Sequence, residues 1–333
     1  MLDGEQRHEA AILRRGPEPS PAVVPLDDGI VRVTFPLPLG IDHVHAYVLP
    51  ADDGGTILVD TGLGLPGVEE RWVRLLEQIG RPERIVVTHF HPDHVGAAAV
   101  VAGLASAPVH QGVLDYEHCR RAWTPEAAER SEQHLVEHGT PPEEAATVRA
   151  QQEQLTAFVR YAVDPEPLEP GETIGGWEVL HLPGHADGHL ALLRDGVLVA
   201  GDALLGGITP NVGLWPASAP DPLTDYLGSL RSIAELGPRL ALPGHGERIL
   251  DPPGRAREIA EHHDDRLART LRELGDEPRS GYGVSRALFP DALAPSLRRF
   301  AVAETLAHLE HLVLAGRAER VRADGRIAYA AGR

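Results

Sequence analysis

Lysine is absent from the 333 residues, and cysteine and methionine occur once each. With Cys119 alone no intrachain disulfide framework can form, and any metal site has to be assembled mainly from imidazole and carboxylate groups. Long apolar runs are missing too. No stretch approaches the roughly 18 apolar residues that a spanning helix needs, and the opening "MLDGEQRHEAAILRRGPEPSPAVVP" is charged and proline-rich, unlike a secretion signal or an anchor. Together these absences predict a soluble cytoplasmic protein without a membrane partner. Positive charge is scarce as well: 31 Arg stand against 49 Asp and Glu, a formal net charge of -18. That balance argues against a protein built mainly to coat nucleic acid or an anionic membrane.

What is present is a long chain with alternating patterns, enough for two domains or one large α/β domain with an appendage. A proline-rich segment is expected at 1–25 and a main domain at 26–253. From 29 to 61, β-branched runs separated by Gly and Asp turns predict an antiparallel meander, "GIVRVTFPLPL", "HVHAYVLP" and "TILVDTG". "PGVEERWVRLLEQI" then has helical spacing and "RIVVTH" returns to strand. Residues from about 113 to 165 show helical periodicity and few strand signals, which predicts a helical insertion. Strands resume with "WEVLHLPGH", with "HLALLRDGVLVAGDALL" around the turn "RDG", and with "LALPGHGE" after the helix "LTDYLGSLRSIAEL". Residues 254–333 read as a separate unit of three helices and the hairpin "RAERVRADGRIAYAA", a winged-helix-like order. From Gly254 onward 14 Arg balance 12 Asp and Glu, so the excess acid lies in the rest of the chain.

The chemistry concentrates in "VVTHFHPDHVGA", which holds His89, His91, Asp93 and His94 within six positions. His89 and His91 are two apart on extended chain, so both can point to one face and grip one metal. Asp93 and His94 follow a proline, where a turn or helix start aims them at a neighbouring point. Three later strand ends offer further groups: His185 in "LPGHADGH", Asp202 in "VAGDA" and His245 in "LPGHGE". Three imidazoles and a shared carboxylate are a common way to hold two divalent ions roughly 3.5 to 4 Å apart. His189 reads as a hydrogen-bonding support. His43 and His45 share one strand face and read as ordinary strand residues or as the edge of a site. His181, His262 and His263 read as surface or packing residues. "GGITPNVGLWP" follows Asp202 closely and offers Asn211 and Trp215 as pocket-lining residues.

"LVDTG", "HFHPDH", "PGHADGH", "GD" and "PGHG", in this order over roughly residues 29 to 250, resemble the metallo-β-lactamase superfamily of hydrolases. The resemblance implies an α+β fold: a four-layer αββα sandwich with the metals at one edge between two sheets, carrying the helical insertion and followed by the C-terminal winged helix. It implies a first metal on His89, His91 and His185, a second on Asp93, His94 and His245, and Asp202 between them. Asp60 stands behind the ligands and holds one of them or the motif loop. Zn2+ is the expected metal, with iron or manganese suited to the same donors. The implied reaction is hydrolysis by a hydroxide shared between two ions, with Asp93 orienting the nucleophile or carrying its proton. Cys119 lies in the insertion and is expected to be buried or idle.

For the substrate, a helical, partly apolar cap over the site suits a small ester, thioester or lactone, as in the glyoxalase II type. A phosphodiester strand asks for a basic groove, and "SLRRFAVAETLAHLEHL" offers a groove-binding helix only the pair Arg298 and Arg299. A nucleic-acid partner is thus less favoured than packing of the C-terminal unit on the catalytic domain or on a second copy of the chain. The alternatives are a metal-dependent endoribonuclease or phosphodiesterase, a mononuclear iron dioxygenase of the same fold, and a regulatory protein that has lost catalysis.

Overall fold

Gly and Asp turns cut the first sixty residues into the expected meander. The computed structural model describes residues 21–37, 41–290, 293–323 and 325–332, so most of the proline-rich segment at 1–25 lies outside the described residues. Its last residues do not stand apart: β1 (Ala22–Pro25) pairs antiparallel with β2 (Val31–Pro36). At an edge strand Pro25 removes no needed donor. β3 (His43–Pro50) and β4 (Thr56–Val59) continue the antiparallel run. Helix α1 (Val68–Ile79) buries Trp72, Leu75 and Leu76, and carries the chain over to β5 (Arg84–Val87), parallel to β4. After the short α2 (Pro92–Val95) and α3 (Ala98–Ala105), β6 (Val109–Gln111) adds in parallel.

Three helices then interrupt the sheet: α4 (Val113–Ala122), α5 (Pro125–Glu137) and α6 (Pro142–Thr156). The two residues of β7 (Glu166–Pro167) complete a seven-stranded sheet. The second sheet has five strands, β8 (Thr173–Ile174), β9 (Trp177–His181), β10 (Leu190–Arg194), β11 (Val197–Gly201) and β12 (Leu240–Pro243). In the "RDG" hairpin Asp195 and Gly196 both take positive φ, 49° and 75°, the mirror-image turn whose twist matches the strands it joins. Helix α7 (Pro222–Leu236) crosses from β11 to the parallel β12, and α8 (Pro252–Arg272) follows.

Alternation along the strands builds the layers. Leu190, Leu192, Val197 and Val199 share a core with Leu49, Ile57, Val59 and Val86 of the first sheet. On the opposite face Ala191, Leu198 and Ala200 pack with Tyr226, Leu230 and Ile259 of α7 and α8. Leu58, Ile85 and Val87 turn the other way, onto Trp72, Leu75 and Val101. The order is therefore helix, sheet, sheet, helix. Each buried Leu or Ile contributes about 1.5–3 kcal/mol.

The last part contains β13 (Arg279–Ser280), α9 (Gly281–Leu288), α10 (Pro295–Leu314), β14 (Ala318–Ala323) and β15 (Arg326–Ala331), with strand order β13-β15-β14. The hairpin's Asp324 lies outside the described residues. Every residue of α10 from Ala301 to Glu310 is buried, where the sequence pattern predicts one apolar face; a helix covered all round belongs to an interior. Val302, Leu306 and Leu309 of α10 share one continuous core with Leu135 of α5, Val148 of α6, Leu230 of α7 and Leu198 of the second sheet. No helix among the described residues is long and apolar enough to cross a membrane.

Candidate metal centre

Four of the motif segments sit at carboxyl ends of parallel strands, where open α/β sheets place their crevices. Asp60 follows β4, His89 and His91 follow β5, Asp202 follows β11 and His245 follows β12. His185 comes from the loop between β9 and β10, and Asp93 and His94 lie on α2, which starts at Pro92. The fold brings all seven expected ligands to one point. His89 Nε2 and His185 Nε2 lie 3.0 and 2.9 Å from His91 Nδ1. Asp93 Oδ2 lies 3.4 Å from His245 Nε2 and 4.0 Å from His94 Nε2. Asp202 stands between the two sets, with Oδ2 3.6 Å from His185 Nε2 and 3.2 Å from His245 Nε2, and Oδ1 3.5 Å from His94 Nε2. The "PGHG" backbone closes the floor: a Cβ on Gly244 would collide with Asp202 Oδ1, so only glycine fits there.

The other ring nitrogen of four histidines is already used. His94 Nδ1–H donates to Asp60 Oδ2 at 2.8 Å, His185 Nδ1–H to the Asn211 carbonyl at 2.8 Å, and His245 Nδ1–H to the His43 carbonyl at 2.6 Å. Thr88 Oγ1 donates its only hydrogen to Asp60 Oδ2 at 2.8 Å, so at its 3.0 Å contact with His89 it accepts from Nδ1–H. Each of these bonds fixes a tautomer with the Nε2 lone pair facing inward, the orientation that metal-binding imidazoles need.

Burial holds His89 and His91 well below the ordinary histidine value and lowers His185 as well; the neighbouring rings act in the same direction on His89 and His91. These imidazoles are neutral, the form that binds metal. Burial also opposes charge on Asp202, but His245 and His94 outweigh it and keep the carboxyl well below its usual range. Burial lowers His94 and His245 too, yet Asp202 and Asp93, with Asp60 for His94, outweigh it, raising His94 well above its usual value and His245 to about 9. Carboxylates that attract a proton onto those two rings attract a cation, which displaces it. His94 Nε2 and Asp202 Oδ1 are buried without a hydrogen-bond partner and face each other. A cation fits this centre, because it satisfies two orphaned atoms and converging lone pairs together. Three clusters, His89–His91–His185, His89–His94–Asp202 and Asp93–His94–His245, have ligand atoms close enough to hold one.

Around the ligands, His189 Nε2 accepts from the Asp202 backbone N–H at 3.1 Å and supports that loop. His43 and His45 border the site: the His43 carbonyl holds His245, its Nε2 accepts from Gly246 N–H at 2.9 Å, and His45 Nε2–H donates to the Gly246 carbonyl at 2.8 Å. Asp115 of α4 accepts the Phe90 N–H at 2.8 Å, and Trp123 donates to the Phe90 carbonyl at 3.0 Å, so the insertion touches the ligand loop. His181 Nε2–H caps the Asp187 carbonyl, while His263 is buried against His308. Cys119 is buried beside Gln111, and burial pushes its thiol up. Thr88, Asp115 and the Asn211 carbonyl escape sequence reasoning, since a hydroxyl, a distant carboxylate and a backbone oxygen carry no spacing signature.

The model of the metallo-beta-lactamase superfamily matches residues 39–245. The chain belongs to that superfamily. A second family model, the metallo-beta-lactamase-like C-terminal domain, matches residues 267–332. Probable metallo-hydrolase YqjP of Bacillus subtilis (strain 168) is 27% identical over 306 residues, 86% of this chain and 92% of that protein. The metallo-beta-lactamase family protein TTHA1429 from Thermus thermophilus superposes with a TM-score of 0.79 at 37% identity, covering 91% of this chain and 98% of that one. A beta-lactamase domain protein from Burkholderia ambifaria gives 0.84 at 28% identity, over 96% and 97%. Thioesterase pkgB of Emericella nidulans is 28% identical over 259 residues, 75% of this chain and 60% of that protein. The chain is a metal-dependent hydrolase of a superfamily that binds divalent metals, and its His and Asp clusters have the geometry to hold one.

Proposed function

We propose that the chain hydrolyses a small ester, thioester or lactone at a centre of two divalent ions, with Zn2+ the expected metal. The observation that carries the reading is Asp202, whose carboxylate lies within 3.6 Å of ligand nitrogens from both histidine sets. When bound there, the ions supply Lewis acidity that activates water and polarises a carbonyl near neutral pH. The chain's own residues do the rest. Asp93, partly exposed beside His245 and His94, is placed to hold a hydrogen bond from the attacking water and to return its proton to the leaving group. Asp60 and Thr88 keep His94 and His89 in register.

The acyl substrate is supported by charge and by α10. The ion pairs of the ligands run to Asp60, Asp93 and Asp202, and 17 Arg face 37 Asp and Glu outside the C-terminal unit, a poor lining for a phosphodiester strand. The winged-helix-like order of the last part suggests a nuclease, but its third helix is enclosed by the chain itself and serves as a packing element in this reading. The name of the thioesterase relative points the same way. The test is turnover by metal-analysed protein, with and without chelator, against acyl thioesters and lactones on one side and single-stranded RNA and bis(p-nitrophenyl) phosphate on the other. Chelator-sensitive activity confined to the acyl side is expected. Preferential cleavage of RNA or the phosphodiester overturns the substrate class, and oxygen consumption with a single bound iron overturns hydrolysis.

A further inference from the structure

We propose that α10 of the C-terminal unit helps to set the metal centre: Asn211 is a positioning residue through which this helix holds His185 in register with its companion ligands. The inference rests on the reading of His89, His91 and His185 as one metal's ligands. His185 Nδ1–H donates to the Asn211 carbonyl at 2.8 Å, yet residue 211 belongs to no strand or helix. What anchors it is α10. Its carboxamide has two N–H groups, and both go to that helix, one to the Phe300 carbonyl and one to the Glu304 carboxylate, each at 3.2 Å. Three residues on, the Leu214 N–H donates to the Ala303 carbonyl at 3.0 Å, and the Trp215 ring stands edge-on to Phe300 with centroids 6.0 Å apart.

Between these contacts Gly213 lies so close that a Cβ would be 2.7 Å from Trp215 Nε1 and 3.0 Å from the Ala303 methyl. Glu304 is itself fixed, 8% exposed and paired at 3.2 Å with Arg266 of α8. A short irregular segment is thus fastened along one face of α10, and at its start it orients a ligand. A helix from the far end of the chain and a histidine from the first half of the second sheet are joined through one asparagine. Moving α10 moves the acceptor of His185, and with it the direction of the Nε2 lone pair.

The full chain is stripped of metal, reloaded with Zn2+ and titrated against a chromophoric chelator, comparing wild type with Asn211→Ala, Glu304→Gln and Glu304→Ala. Asn211→Ala is expected to weaken one Zn2+ equivalent by about 10- to 100-fold and to leave the other in place. Glu304→Gln keeps an acceptor oxygen for Asn211 and is expected to retain affinity that Glu304→Ala loses; this pair decides the matter if Asn211→Ala does not fold. Wild-type affinity for both equivalents in Asn211→Ala and Glu304→Ala overturns the inference alone. So does equal loss of both equivalents with a lowered unfolding temperature, which marks plain structural support. A wild type that takes up no Zn2+ overturns the metal-centre reading and this inference with it.

Discussion

Asp60 receives three hydrogen bonds on two oxygens: Thr88 N–H on Oδ1, and Thr88 Oγ1–H and His94 Nδ1–H on Oδ2, each at 2.8 Å. Its φ of 62° is in the left-handed region, which Asp and Asn enter more readily than most residues. Asp60→Asn therefore keeps shape and backbone while changing the chemistry. One amide orientation sets its NH2 against the Thr88 N–H; the other points it at His94 Nδ1, pushing that ring's proton onto the nitrogen that faces Asp202. Metal affinity is expected to fall by about 10- to 100-fold in a protein that still folds, measured by equilibrium dialysis. Wild-type affinity would show that Asp60 is a turn residue only. At this scale the seven candidate ligands were legible because "HFHPDH" packs four of them together, Asp202 and His245 follow directly on strands, and His185 lies in the loop after one. His43 was ambiguous for a physical reason: its contribution to His245 is a backbone carbonyl, which any residue supplies.

The two outer helices of the fourth layer both open with Asp-Pro, and both aspartates cap. Asp221 Oδ1 accepts the Thr224 N–H at 3.0 Å and Asp251 Oδ1 the Gly254 N–H at 2.9 Å, with proline at the first helical position where no N–H is missed. Asp251→Ala is expected to cost about 1 kcal/mol, read from the urea midpoint with metal affinity unchanged. Asp221→Ala is expected to cost more, because Asp221 Oδ2 also lies 3.2 Å from His311 Nδ1 and ties α7 to α10. A smaller loss for Asp221 than for Asp251 would rule out that tie as stabilising. The elements with strong period, β2 to β5, α1, α7 and the "RDG" hairpin, were legible. Helix α3, "AAVVAGLA", was not, because it has almost no polar face to set a period. β7, β8 and β13 have two residues each and exist only through their partners. α10 was recognised as a helix, but its burial depends in part on Leu135 and Val148, more than a hundred residues away.

At the scale of the whole molecule, three histidines away from the metal centre are kept neutral by burial: His138 and His263 at about 3 and His308 at about 4, against an ordinary 6.5. Between those values and 6.5 the unfolded chain binds more protons than the folded one, so stability is present above pH 6.5 and is lost as pH falls toward 4. The urea midpoint of the metal-free protein should be lower at pH 5 than at pH 7, and His138→Gln should make that dependence shallower; a midpoint higher at pH 5 would contradict the burial. The overall layering was legible from the order of the motifs, whereas the single core running from the insertion through the second sheet to α10 was not, since it is made of contacts between distant segments. That core has a consequence for how small this hydrolase can be. All seven candidate ligands are in place by His245, yet a chain ending there would strip from the core of Leu198, Tyr226 and Leu230 the side chains of Ile259, Val302, Leu306 and Leu309, and would leave Asn211 without the helix that anchors it. The ligand-bearing part is therefore expected not to be a self-sufficient enzyme: the chain's last ninety or so residues are as much a wall of the hydrolase as the strands that carry the histidines.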